Sequence, residues 1–263
     1  MSNTKTRKML EGLPPGLLAF SFGEIEDELL AFAAVADDFL RPESIRQLKD
    51  LQSKLGPIAS STHDTTWGTS VDAPLTTLSS VEFEPNDKKT EVKIYGSLNF
   101  KWHIQPLAKL ENNPRNRWFA LLNSSSRIEI RTADSNLPLC HWDFDLGDAN
   151  SPGCHFHAKP HWQDFQHAAS LVNPIPIPRL PTWLFLPTDC LEFLFGELWQ
   201  EGWKKRAQQS DPDMQRWAKL SHDRHLRMAS CHLNRYKNTR QLSGWMTLKT
   251  WKPDAAEFAW LHH

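Results

Sequence analysis

The chain has 263 residues, 40% of them hydrophobic and 23% charged, with a formal net charge of −1. That is enough apolar material for one large core or two smaller ones, and it excludes a molecule whose overall charge draws it to nucleic acid. No stretch approaches the ~20 apolar residues of a membrane helix. The four cysteines (Cys140, Cys154, Cys190, Cys231) show no CxxC spacing. With no secretory signal at the start, a cytosolic protein with reduced thiols and no membrane contact is expected.

The first segment, "MSNTKTRKMLEGLPPG", is polar and basic. Beyond it Ile25, Leu29, Leu30, Phe32, Ala33 and Ala36 recur at helical spacing. Pro42 interrupts this run, and Ser44 restarts a short helix that ends near Gly56. Between Phe20 and Ser60 eight acids stand against four bases, a local charge of −4. Such acidic helices offer a solvated face or a surface for a protein partner. Residues 57 to 77 are turn-rich and read as a loop.

A β region follows. In "EVKIYGSLNFKWHI", Val92, Ile94, Leu98, Phe100, Trp102 and Ile104 alternate with Lys93, Tyr95, Ser97, Asn99, Lys101 and His103. Period-2 alternation of this length predicts a strand with one wet face, and Gly96 reads as a bulge or bend. "RWFALLN" reads as a more buried strand. "RIEIR" turns Ile128 and Ile130 inward and Arg127, Glu129 and Arg131 outward.

The next stretch, "HWDFDLGDANSPGCHFHAK", carries the strongest chemistry. Side chains two apart on a strand share a face. His141, Asp143 and Asp145 therefore oppose Cys140, Trp142, Phe144 and Leu146, and on the return strand His155, His157 and Lys159 oppose Cys154, Phe156 and Ala158. Pairing Leu146 with Cys154 sets Asp145 against His155 and Asp143 against His157. Directly opposed residues bring their Cβ atoms to ~5 Å. Two imidazoles beside two carboxylates suit acid–base catalysis by His141, Asp143, Asp145, His155 and His157. They also suit a divalent metal held by Asp143, Asp145, His155 and His157. The bland alternative is a row of His–Asp pairs on a solvated face. A mixed Cys/His zinc site is disfavoured, because each cysteine faces away from its neighbouring histidine.

After Lys159, "HWQDFQHAASLV" reads as a short helix, and "NPIPIPRLP" as an extended proline connector. This sets the candidate boundary between segments 1–172 and 173–263, unless the chain is a single domain. Two helices follow, one over "PTDCLEFLFGELWQEGWKKR" and one opened by Asp211 and Pro212. "GWMTLKTW" is compatible with a strand. The expected class is α+β: an antiparallel sheet covered on one face by helices from both ends of the chain.

From Glu201 to Lys252 twelve Lys or Arg residues face four acids, a local charge of +8, with Trp203, Trp217, Trp245 and Trp251 interleaved. Basic charge with aromatics is a footprint for nucleic acid. The contact candidates are Trp203, Arg216, Arg224, Arg227, Arg235, Lys237 and Arg240. The competing reading pairs this block with the acidic N-terminal helices inside the molecule. Two functions are carried forward. One is a nucleic-acid-binding or complex-forming subunit using the basic half; the other is a hydrolase of phosphodiester type with its site on the hairpin.

Overall fold

The computed structural model describes residues 2–14, 17–81, 93–108, 112–146, 154–160, 180–182, 186–238 and 243. The expected α+β class is what it shows. The helices are α1 (Ser2–Glu11), α2 (Phe22–Val35), α3 (Pro42–Ser53), α4 (Leu55–Ser60), α5 (Pro187–Leu198), α6 (Gln200–Ala207) and α7 (Pro212–Asn238). The strands are β1 (Leu18–Ser21), β2 (Thr65–Gly68), β3 (Leu75–Thr76), β4 (Ile94–Pro106), β5 (Trp118–Thr132), β6 (Pro138–Leu146), β7 (Cys154–Pro160) and β8 (Leu180–Thr182). All pair antiparallel in one sheet, ordered β2-β4-β5-β6-β7-β8, with β3 also on β4 and β1 also on β5.

Alternation along β4 turns Ile94, Leu98, Phe100, Trp102 and Ile104 into the core and Tyr95, Asn99, Lys101 and His103 to the other face. On β5 the inward set changes parity, from Phe119 and Leu121 to Ser124, Ser126, Ile128 and Ile130. A bulge causes this. His103 pairs Asn123 while Ile104 pairs Leu121, so Leu122 is the extra residue. The expected bulge at Gly96 is thus displaced to the partner strand. Gly96 instead admits α5: a Cβ there would lie 2.6 Å from Leu194 Cδ2 and 3.1 Å from Leu198 Cδ1. "RWFALLN" and "RIEIR" are one continuous strand, β5. The segment read as a loop over 57–77 carries β2, β3 and part of α4, elements too short to leave a periodic signal.

The main core gathers the inward sheet residues with α2, α3, α5, α6 and α7, from Leu18 to Cys231. Residues on both sides of the proposed 172/173 boundary thus share one cluster, while the boundary itself lies outside the described residues. Phe32, Phe39, Phe195, Trp203 and Trp217 form its aromatic centre, with ring centroids 5.1–5.8 Å apart. A smaller patch on the other face packs Leu10 of α1 against Ala19.

Local chemistry sets the helix starts. Ser21 Oγ accepts the Glu24 N–H at 3.1 Å to open α2, and Asp211 Oδ1 accepts the Met214 N–H at 3.0 Å to open α7. The first run ends at Val35, before Pro42, and the next helix begins at Pro42 itself, two residues ahead of Ser44, at the first-turn position where its missing N–H is harmless. The helix read over residues 161–172, the proline connector before Leu180 and the strand read at 244–251 lie outside the described residues.

Candidate functional site

The face of the sheet opposite the main core is polar, and the strand register orders it into rows. One row runs Asn99, Arg127, Asp143, His157; the next runs Ser97, Glu129, His141, Lys159. A third runs Lys101, Ser125, Asp145, His155. Asp143 is thus paired with His157 and Asp145 with His155, the register that follows from setting Leu146 against Cys154. The side chains of His155 and His157 lie outside the described residues, so convergence of the two imidazoles on the carboxylates is not described. Among the described residues no three His, Cys, Asp or Glu side chains group to hold a metal.

The described part of the hairpin row is an ion-pair network. Arg127 Nε donates to Asp143 Oδ1 at 2.7 Å, and Nη2 to Oδ2 at 3.4 Å. This fork engages both carboxylate oxygens in charge-assisted hydrogen bonds. His141, 6% exposed, brings Nε2 to 3.5 Å from Asp143 Oδ2. One strand over, Arg131 Nε donates to Glu129 Oε2 at 2.8 Å and its Nη1 to the Asn136 carbonyl at 2.9 Å.

Beside these rows the same face opens into a cleft of about 310 Å³. Its floor is Tyr95, Ser97 and Asn99 of β4 with Glu129 and Arg131 of β5; its rim is Arg41, Val71, Pro74, Thr76 and Asn136. Period-2 reading had already put the floor residues on the wet face. The rim was invisible to it, because Arg41, Val71, Pro74 and Asn136 come from connections with no repeating pattern. Asn136 has φ of 57°, the left-handed conformation that asparagine tolerates at a turn.

The basic block is placed differently from the nucleic-acid expectation, and two of its candidates are corrected by burial. Trp203 is 7% exposed, within the aromatic core, and Arg224 is 1% exposed. Arg224 donates to both oxygens of Glu28, at 2.8 and 3.0 Å, and to Asp189 at 2.5 Å. Thr188 Oγ1 donates to Glu28 at 2.6 Å, and the Leu186 N–H to Asp189 at 2.8 Å. Burial opposes ionisation of Asp189, but Arg224 and His225 outweigh it and hold the carboxyl at about 2.

Arg216 pairs with Asp27 at 3.0 Å, and Arg227 pairs with Glu24. Arg115 adds a bond to Asp27 at 2.7 Å and lies 3.6 Å from Glu26. The acids of α2 proposed for a protein partner are therefore engaged within the molecule. Lys237 is exposed at the end of α7. The Arg235 side chain and Arg240 lie outside the described residues. None of the seven described tryptophans with described side chains falls in the exposed class, so these offer no bare stacking platform.

One constellation was missed in the sequence. Ser221 Oγ lies 3.4 Å from His225 Nδ1, and His225 Nε2 lies 3.3 Å from Asp189 Oδ1. This is the connectivity of a nucleophile, base and orienting acid. The surroundings do not suit acyl transfer. Ser221 is 6% exposed and sits in mid-helix, where backbone N–H groups bond along the helix instead of facing an oxyanion. Comparison with protein-family models, curated proteins and solved structures finds no match.

Proposed function

We propose that this chain is a non-catalytic, complex-forming binding protein whose working surface is the polar face of β4–β7, not the basic C-terminal half. The observation that carries this reading is the charged, cross-strand ordered face with a cleft beside it. The opposite face is filled by the helices, and three arginines of α7 pair with acids of the same chain. A surface that presents Lys101, Arg127, Glu129, Arg131 and Asp143 in fixed register is suited to recognition by charge complementarity.

The hydrolase reading retains one favourable feature, the register of Asp143 and Asp145 against His157 and His155. Against it stands the Arg127 fork, which already engages both oxygens of Asp143 and would crowd a metal with positive charge. Assay of the protein with bis(p-nitrophenyl) phosphate, with and without Mn²⁺, Mg²⁺ or Zn²⁺, separates the two. The binding reading expects no turnover above the metal blank. Turnover that disappears in Asp143→Asn, with Tm unchanged, would replace it by the hydrolase.

A further inference from the structure

We infer that the cleft on the polar face is a site for a small oxyanion ligand, a compact carboxylate or phosphate ester whose charged group seats on Arg41. This rests on the reading of that face as the binding surface and adds the chemistry of what it takes. The hydrogen-bonding balance of the lining favours an anion. Arg41 Nε donates to the Thr77 carbonyl at 3.3 Å, and its guanidinium lies 5.2 Å from the centroid of the Tyr95 ring. These contacts fix the plane of the group. Among the described residues no carboxylate lies within ion-pair distance of Arg41, whereas Arg131 is held by Glu129 and the Asn136 carbonyl. Arg41 therefore keeps its two terminal nitrogens, the pair that recognises a carboxylate or phosphate in fork geometry.

The amides point the same way. Asn99 Oδ1 accepts from Thr69 Oγ1 at 3.2 Å, and Asn136 Oδ1 accepts from the Tyr95 hydroxyl. Both acceptor oxygens are thus engaged, and each side chain is left with its N–H donors. Ser97, 7% exposed, adds a hydroxyl at the floor. The lining is rich in donors, and its formal charge is +1, from Arg41 and Arg131 against Glu129. A volume of about 310 Å³ is at the low end for small-molecule sites, ~300–1,000 Å³, which selects a small molecule over a chain segment.

The test follows backbone and side-chain NMR resonances while inorganic phosphate, and in a second arm acetate, is added at constant ionic strength. Saturable shifts confined to Arg41, Tyr95, Asn99 and Asn136 are expected, with half-saturation at about 1–10 mM for so small a probe. The stronger arm names the preferred oxyanion. Arg41→Gln should weaken binding about tenfold or more, and Arg41→Lys by less. Glu129→Gln should tighten it several-fold by removing the lining's negative charge, a direction that mere disturbance of the fold would not produce. Lys205→Gln, exposed on α6 and outside the cleft, should leave it unchanged. Absence of saturation with both probes, equal binding in Arg41→Gln, or weaker binding in Glu129→Gln would overturn the inference. If the cleft took uncharged fragments but neither anion, this inference would fail and the binding reading would stand.

Discussion

Single residues carry two testable consequences of burial. Glu192 on α5 has its carboxyl pushed up to about 7, first by burial and then by Asp189, with His225 and Arg224 offsetting part of the effect. A carboxyl raised in the fold is stabilising while protonated, and that contribution is lost as pH rises through the folded value. Stability should therefore fall between about pH 5 and pH 8, by about 1–3 kcal/mol. Glu192→Gln should flatten that slope in urea unfolding measured across pH. Cys140 has its thiol pushed up to about 11, first by burial and then by Glu197 and Glu129. At pH 8 only about a thousandth is thiolate. Native protein should react with iodoacetamide at Cys140 far more slowly than guanidine-unfolded protein, as mass spectrometry of the labelled peptide would show.

Between elements, the decisive contacts are a buried charge cluster and a glycine. Arg224 of α7 joins Glu28 of α2 and Asp189 of α5, all 5% exposed or less. Removing the arginine leaves two carboxylates in the core without their cation. Arg224→Met should cost about 3–5 kcal/mol by chemical denaturation, whereas the exposed Arg216→Met should cost under about 1 kcal/mol. Because Asp189 is held low, the cluster's contribution is present above about pH 4 and is lost as pH falls towards 2. At the β4–α5 contact, Gly96→Val forces a side chain into Leu194 and Leu198, both fully buried. A loss of about 1–3 kcal/mol is expected, with little change in the polar face on the far side of the sheet.

At the scale of the whole molecule, what could be read from the sequence follows from where the physics is periodic. Strict alternation over residues 94–104 and 140–146 placed the wet face, and setting Leu146 against Cys154 then gave the pairs Asp143–His157 and Asp145–His155. Helical spacing placed α2, and the Asp211–Pro212 start placed α7. The α2–α7 ion pairs were open as one of two readings, since charge balance alone does not choose between an internal and an external partner. Arg224 could not be recognised as a core residue, because its partners lie 35 and 196 positions away. The cleft was half legible, since its floor obeys a strand repeat and its rim comes from connections.

Binding at the polar sheet face, and not at the basic helix, is the proposal to be tested. The most direct measurement is a fragment screen read by ¹⁵N–¹H shifts on the whole chain. Shifts clustered on Tyr95, Asn99, Glu129 and Arg131 and their strand neighbours are expected. Shifts clustered instead on α6 and α7, around Lys204, Lys205 and Lys219, would contradict it.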